Sequence, residues 1–341
     1  MIKVKQIAFV EKNKAELIDQ GELDAGDPAE KAVVVKTEIS TISCGTEKAN
    51  LIGDKNVSGA SDRVSPFPRY VGYSGAGTVV RVGAGVSSVK VGDRVVVYWG
   101  YHKNYNTVPE SQVVKIPDGV DFHSAAMAFI TTFPLAAVRK TALEIGESCL
   151  VMGLGILGQC AVKFARIAGA YPVIAADPNA NRRDLALKYG ADYAFDPIEE
   201  GFAEKVKKVT GGGANTCIEV TGVGAGLDGA LDCMAKFGRV ALLGCTRDKN
   251  FTIDYYKKIH CPGITLIGAH TLARPNVESY PHYRTHTDDI KATLDLIKGG
   301  RLDLREMVEE IHSPAECAEV YGRLVSDKNF PVCVQFDWSK L

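Results

Sequence analysis

Residues 148–177 read SCLVMGLGILGQCAVKFARIAGAYPVIAAD, and three features of that stretch decide the fold. SCLVMGLG is a short apolar run with strand character, ILGQCAVKFARIAG takes helical spacing, and YPVIAAD returns to strand. At the first junction Gly153, Gly155 and Gly158 form G-x-G-x-x-G, and Asp177 closes the second strand 19 residues past the last glycine. Glycines alone are a weak signal. Between a strand and a helix, with an acid at that distance, they form the pattern of a dinucleotide site. The first glycine permits a tight turn. The second lets a pyrophosphate approach the backbone at the helix N-terminus, and the third lets helix and strand pack closely. Asp177 can accept hydrogen bonds from both hydroxyls of an adenosine ribose and would repel a 2′-phosphate, so NAD is expected over NADP. Arg182 or Arg183 could offset that charge, although NANRRDLALKYG reads more simply as the start of the next helix.

Toward the C-terminus the alternation continues. TCIEVTG, RVALLGC and ITLIGAH read as strands, and NANRRDLALKYG and GAGLDGALDCMAKFG as helices. Alternation of this kind implies an α/β fold with a doubly wound parallel sheet and helices on both faces. Toward the N-terminus the rhythm changes. HSAAMAFITTFPLAAVRKTAL (123–143) has helical spacing, but the first 120 residues look all-β, with KAVVVKTEIS, GAGTVVRVG, DRVVVYWG and SQVVKIP separated by turn residues. Glycines at 72, 75, 77, 83, 85 and 92 suggest a barrel-like sheet with tight bends. After about 271 a polar stretch, RPNVESYPHYRTHTDD, leads to a helix IKATLDLIKGG and a last strand FPVCVQF.

A chain of 341 residues, 46% hydrophobic, is long enough for two domains with real cores. Its net charge of −1, from interspersed acids and bases, gives no footprint for nucleic acid or a membrane surface. No apolar run reaches the length needed to cross a bilayer, and the charged N-terminus has no signal-peptide core, so a soluble protein is expected. The nine cysteines are scattered, odd in number and without C-x-x-C, and several sit in strand-like runs (NTCIEV, ALLGCT, FPVCVQF) as small hydrophobes. That usage points to a reducing cytoplasm without a disulfide framework.

SCGTE (43–47), GAGTVVRVGAGVSSVKVGDRV (75–95), GLGILG (153–158), RRDLALKYGADYAFDP (182–197) and IKATLDLIKGGRLDL (290–304) occur in order. Together they resemble the medium-chain dehydrogenase/reductase superfamily over essentially the whole chain. The resemblance implies a discontinuous GroES-like β-rich catalytic domain, residues 1–120 and 272–341. Around 121–271 it implies a Rossmann dinucleotide-binding domain, with pairing into a homodimer near ITLIGAH. It further implies a cofactor site at Gly153, Gly155, Ile156, Leu157, Gly158, Asp177, Arg182, Thr221, Gly244, Cys245 and Thr132. Zinc-dependent members of this superfamily hold a catalytic metal with three side chains: a cysteine before Gly-Thr and an acid, a histidine in G-H-E, and a later Cys, Asp or Glu. Here Cys44, Thr46 and Glu47 match the first motif, but GYS puts Tyr73 and Ser74 in the second, and the third position falls near Ala128. A catalytic zinc needs three protein ligands, so no metal is expected. GTEK (45–48) with GYS (72–74) is similar, over a few tens of residues, to a zinc-lacking branch that includes bacteriochlorophyllide dehydrogenases.

Without the metal, side chains must take the proton of a substrate hydroxyl and stabilise the charge that develops. The resemblance places Tyr73 where the histidine ligand would stand and Thr46 where a hydroxyl relays the substrate proton. Tyr98, Tyr101 and His102 fall on the loop after DRVVV. Tyr73 or His102 is the expected acid–base group, with Thr46 orienting and Cys44 and Glu47 retained beside them. Each has a plainer alternative: Tyr73 as a plug for the empty metal cavity, His102 as a solvated loop histidine, Cys44 as a buried thiol, and Glu47 holding a turn or pairing with Lys48 or an arginine. Arg274, His282, Arg284 and His286 could line a polar substrate's entrance, or belong to a surface loop. The implied activity is a zinc-independent, NAD(H)-dependent interconversion of a secondary alcohol and a ketone on a polar polyol, sugar or cyclitol derivative. An NAD(P)H-dependent enone or quinone reductase is the rival enzyme, against which Asp177 and GLGILG speak. A non-catalytic dinucleotide-binding protein is the rival from another class, and the retained Cys44, Thr46 and Glu47 fit it poorly.

Overall fold

A computed structural model describes residues 2–24, 26–54, 65–246 and 250–341. The chain begins with β1 (Lys3–Glu11), β2 (Lys14–Glu22), β3 (Ala32–Thr41), α1 (Cys44–Leu51), β4 (Arg69–Tyr70) and β5 (Ser74–Val82). It continues through β6 (Arg94–Tyr98), β7 (Tyr105–Pro109), β8 (Val113–Lys115) and α2 (Phe122–Met127). Then come α3 (Thr132–Lys140), β9 (Cys149–Met152), α4 (Ile156–Ile167), β10 (Val173–Ala176), α5 (Ala180–Lys188) and β11 (Tyr193–Phe195). They are followed by α6 (Phe202–Thr210), β12 (Ala214–Glu219), α7 (Gly224–Asp232), β13 (Met234–Leu242) and β14 (Thr265–Gly268). The last elements are α8 (His286–Lys298), β15 (Glu310–His312), α9 (Cys317–Ser326) and β16 (Val334–Asp337).

These elements form two compact units, Met1–Ile130 with His286–Leu341, and Thr131–Thr285. The borders read from the sequence, 120 and 272, differ because α2 packs on β3 and β5 and so extends the first unit, and because the chain rejoins it only at α8.

The second unit is a parallel sheet in the order β11-β10-β9-β12-β13-β14. Counted from β9 as the first strand, that order is 3-2-1-4-5-6, and the direction of winding reverses between β9 and β12. Its strands are near-continuous apolar runs, as a sheet covered on both faces requires. Leu150, Met152, Ile174, Cys217 and Val240 pack there with Val206 and Leu231 from the helices. This is the doubly wound arrangement that the alternation predicts.

The first unit is β-rich. β15-β16-β3-β5-β6-β8 form one sheet, with β7 also on β3, and β2-β1-β4 form a second. Val33, Val35, Val79, Val95, Val97 and Val108 fill the interior between β3, β5, β6 and β7. A second core joins Ile7, Phe9 and Leu51 to Val320, Tyr321 and Phe336. Gly77 lies on β5 beside Lys36 of β3, where an added Cβ would sit 2.1 Å from the Lys36 carbonyl oxygen. The close approach explains one of the bends read from the glycine pattern.

Four segments differ from the sequence reading. CGTEKANL is a helix inside a region that looks all-β; it has no run of β-branched residues, and it buries Ala49 and Leu51. The 123–143 stretch breaks into two helices, and Pro134, which lacks an N–H, falls in the first turn of the second. DCMAKFG leaves helix after Asp232 and joins β13, paired with β12. Finally, α9 is a helix that the sequence reading leaves unassigned, although Cys317, Val320, Tyr321 and Leu324, at helical spacing, are all buried.

All nine cysteines are free, with six of them buried. Burial pushes Cys149 up to about 11 and Cys160 up to about 12, which leaves both thiols protonated and unreactive. Cys245 departs from the expected small-hydrophobe role, since it lies beyond the end of β13 and is exposed. Among the described residues no helix is long and apolar enough to cross a membrane.

Candidate active site

The turn between β9 and α4 gives each of its three glycines a different reason. Gly153 has φ +90°, a left-handed conformation that side chains rarely adopt. A Cβ on Gly158 would lie 1.8 Å from the Gly153 carbonyl oxygen, so only glycine lets helix and strand approach this closely. Gly155 is extended, φ −69° and ψ −172°, and an added Cβ would meet nothing within 4 Å. Protein packing does not require glycine at 155. Bare backbone there, at the start of α4 (Ile156, Leu157 and onward), matches what a pyrophosphate needs. The residues fit a dinucleotide.

Asp177 follows β10 and is 6% exposed. Its Oδ2 accepts from the Leu154 N–H at 2.8 Å, and Oδ1 accepts from the Asn179 N–H at 2.8 Å. Each carboxylate oxygen keeps acceptor capacity. Arg182 stands 3.8 Å from Oδ2. Arg183 is engaged elsewhere, donating to the carbonyl oxygens of Asp177 and Pro178 at 2.8 and 3.0 Å. Thr221 caps the turn after β12, where both its N–H and its hydroxyl donate to Glu219. Burial raises the Glu219 carboxyl, and those bonds oppose the shift. Gly244 lies at the matching end of β13 and donates to the Glu219 carbonyl oxygen at 2.8 Å. Gly153, Thr221 and Gly244 thus occupy the carboxyl ends of three adjacent strands, and Cys245 follows, exposed. Thr132 is fully buried at the start of α3, and its carbonyl oxygen accepts from Arg274 at 2.9 Å. The Arg274 side chain therefore has a task within its own unit. His282 and Arg284 are exposed, and His286 opens α8.

In the first unit the sequence SCGTE folds onto itself. Glu47, 1% exposed, accepts from the Ser43 N–H at 2.8 Å, and the Tyr321 hydroxyl of α9 donates to it at 2.5 Å. His102 Nε2 lies 3.2 Å from Glu47 Oε2. On the other side of the ring, Nδ1 is 2.7 Å from Ser40 Oγ, which also accepts from Trp338 Nε1 at 2.9 Å. The chain of bonds is satisfied when Trp338 donates to Ser40, Ser40 to Nδ1, and Nε2–H to the Glu47 carboxylate. His102 was expected at the mouth of a loop. It is instead fully buried, against Gly72, which has φ +90° and where a Cβ would sit 2.4 Å from the His102 nitrogen. In this position its ring lies between Ser40 and Glu47. Among the described residues Glu47 pairs with neither Lys48, which donates to the Val325 carbonyl oxygen, nor an arginine.

The hydroxyl of Tyr73 donates to Ser43 Oγ in a short hydrogen bond. Its ring packs at 5.7 Å from Trp99 and 5.7 Å, edge-on, from the buried Phe129. Trp99 holds φ +55°, a left-handed conformation costing about 1–3 kcal/mol for a residue of this size. The Tyr73 carbonyl oxygen accepts from its N–H at 3.0 Å, and its ring rests on Phe129 and His286 at 4.9 and 5.8 Å. Cys44 is half-buried, with Sγ 4.0 Å from the carbonyl oxygens of Pro331 and Val332. Ala128 is fully buried. Among the described residues no three Cys, His, Asp or Glu side chains gather as a metal site. A recess of about 210 Å³ opens in this unit, with Thr46, Asn50, Tyr70, Tyr73, Trp99 and Tyr101 in its walls. Sequence reasoning missed Ser43, Tyr321 and two rings of the aromatic wall, Tyr70 and Trp99. Ser43 stood next to the motif that was read, whereas Tyr321 lies 274 residues from Glu47, a separation that no local pattern reports.

Comparison with known proteins agrees with this geometry. Residues 29–118 match the alcohol dehydrogenase GroES-like domain, and residues 157–283 match the zinc-binding dehydrogenase domain. The chain is similar to L-threonine 3-dehydrogenase of Pyrococcus abyssi, 31% identical over 77% of this chain and 82% of that protein. It is also similar to D-guloside 3-dehydrogenase of Escherichia coli, 27% identical over 73% and 71%. The crystal structure of 2R,3R-butanediol dehydrogenase from Bacillus subtilis superposes with a TM-score of 0.80 at 22% identity, covering 98% of this chain and 99% of that one. The chain belongs to the medium-chain dehydrogenase/reductase family. It is an oxidoreductase of the alcohol dehydrogenase type.

Proposed function

We propose that the protein is a zinc-independent, NAD(H)-dependent dehydrogenase that interconverts a secondary alcohol and its ketone on a polar polyol, sugar or cyclitol derivative. The observation that carries this reading is the hydrogen bond from the Tyr73 hydroxyl to Ser43 Oγ, with Tyr73 in the wall of a recess beside Thr46; the resemblance puts Tyr73 where zinc relatives have a metal-binding histidine. In oxidation Tyr73 acts as the phenolate, to which the Ser43 hydroxyl donates, and takes the proton of the substrate hydroxyl; in reduction the neutral phenol gives that proton back. Thr46 orients the substrate oxygen. Glu47, fixed by His102 and Tyr321, holds the Ser43 backbone and so sets the direction of its hydroxyl. A positioned acid–base group is worth about 10²–10⁴ in rate, and a preorganised donor ~2.7–4 kcal/mol, enough together to stand in for a metal.

A bound nicotinamide dinucleotide supplies the hydride acceptor. Gly153, Gly155 and the start of α4 would hold its pyrophosphate, and Asp177 its ribose. The anchored Asp177 carboxylate, and an Arg183 already engaged by carbonyl oxygens, favour NAD over NADP. D-guloside 3-dehydrogenase and 2R,3R-butanediol dehydrogenase are named for hydroxylated substrates, which supports a polyol. GTEK and GYS support a zinc-lacking branch. The exposed residues of β14, an edge strand of its sheet among the described residues, support a homodimer through that edge. The nine free cysteines support a reducing cytoplasm. Elemental analysis of purified protein, with a screen of sugars, cyclitols and hydroxy acids against NAD and NADP, tests the reading. Turnover with NAD that survives chelation is expected. Stoichiometric zinc, with activity lost on chelation and restored on its return, would overturn it.

A further inference from the structure

We infer that the recess in the first unit selects an uncharged, ring-shaped polyol, with its flat face on an aromatic wall and its hydroxyl edge on helix α1. This rests on the dehydrogenase reading above and narrows its substrate class. The wall consists of Tyr70, Tyr73, Trp99 and Tyr101, and three of these rings, Tyr70, Trp99 and Tyr101, are 45%, 37% and 48% exposed. Large apolar side chains left this open and gathered around one concavity mark a ligand site more often than a loose surface.

The rings are held in place. Tyr70 and Tyr101 meet edge-on at 6.2 Å, and Trp99 lies 5.7 Å from Tyr73. The loop that carries Trp99 and Tyr101 is fastened by Asn106, whose Oδ1 accepts from the Tyr101 N–H at 3.0 Å and whose Nδ2 donates to the Tyr101 carbonyl oxygen at 3.1 Å. A rigid aromatic face carries negative potential and attracts the weakly positive C–H face of a saturated ring. An open-chain polyol must give up rotational freedom to present such a face, whereas a ring already has it.

Helix α1 supplies the other chemistry. Thr46 and Asn50 are one helical turn apart and both line the recess. The Asn50 amide donates to the Thr46 carbonyl oxygen at 2.9 Å, which leaves its Oδ1, together with Thr46 Oγ1, without a protein partner among the described residues. Those atoms suit two hydroxyls on one edge of a ring. Charge narrows the class further. Among the described residues the lining contains Glu47 and no Lys, Arg or His, so among them a phosphorylated or carboxylated substrate finds no counter-ion.

The test uses binding as well as turnover. Trp99 and Trp338 are the two tryptophans, and Trp338 is only 5% exposed, so intrinsic fluorescence reports on the recess. With NADH present, myo-inositol and methyl β-glucopyranoside are expected to change the emission saturably. Sorbitol and inositol 1-phosphate, at equal concentration, are expected to bind at least about tenfold more weakly. Trp99→Leu should abolish the response and lower the ratio of kcat/KM for ring over open-chain substrates by about tenfold or more, with NADH affinity retained as evidence of folding. Asn50→Ala keeps the reporter and should weaken myo-inositol binding. Equal binding of ring and open-chain probes, or tight binding of the phosphate, would overturn the inference and leave the dehydrogenase reading standing. Ring-selective binding without NAD-linked turnover would do the reverse.

Discussion

Gly155 offers a clean separation between folding and cofactor binding. Replaced by valine, it keeps a conformation open to any residue, φ −69° and ψ −172°, and its new Cβ meets nothing within 4 Å. The folded protein therefore has room for the added Cβ. Its cost is that of a poorer helix N-cap, about 0.5–1 kcal/mol, which for a unit of this size moves Tm by roughly 2–4 °C. A pyrophosphate has no such room. Blocking its approach removes at least one charge-assisted hydrogen bond from backbone N–H, worth about 1.5–3 kcal/mol. NADH affinity should fall by about tenfold to a hundredfold or more, with kcat little changed at saturation. Gly158→Ala is the contrasting variant, because its Cβ would sit 1.8 Å from the Gly153 carbonyl oxygen and the strand–helix contact must open. It should lose stability first and affinity as a consequence. Melting curves and NADH titration by fluorescence measure both quantities on one sample. Unchanged NADH affinity in a folded Gly155→Val protein would refute the assignment of this turn to the pyrophosphate.

Other outcomes follow from the same structure. Tyr73→Phe keeps the ring between Trp99 and Phe129 but loses the bond to Ser43, so kcat should fall by about 10²–10⁴ while NADH affinity and Tm hold nearly steady; a kcat within a few fold of wild type would remove Tyr73 from the chemistry. Glu47→Ala strands three buried donors and should cost about 3–5 kcal/mol, visible as a large drop in Tm of the first unit. A thiol reagent applied to native protein should modify Cys245 and Cys261 quickly, and leave Cys149 and Cys160, pushed up to about 11 and about 12 by burial, untouched until unfolding; peptide mapping reads the order.

The nucleotide-binding half was legible because its signals are local. A strand, three glycines, a helix and an acid lie within thirty residues of one another, and each has a geometric reason confined to that stretch. The catalytic half was legible only as a set of positions. Tyr73 could be seen to replace a ligand, but its hydroxyl partner, Ser43, is set by how α1 starts after β3, and the sequence there looked like strand. His102 shows the limit most clearly. From its neighbours it was an acid–base candidate or a solvated loop residue, and its full burial removes the second reading. Buried between Ser40 and Glu47, it completes a network drawn from β3, α1, α9 and the C-terminal segment.

On the proposed reading, that network gives CGTE a task in a chain where Tyr73 and Ala128 stand at the positions the resemblance assigns to the other metal ligands. Glu47 has work that does not depend on zinc: it satisfies the Ser43 N–H, the His102 ring and the Tyr321 hydroxyl at once, and an uncompensated buried donor costs about 1–3 kcal/mol each. With Glu47 fixed, Ser43 Oγ faces the hydroxyl of Tyr73, and the half-buried phenol is wedged against Trp99 and Phe129.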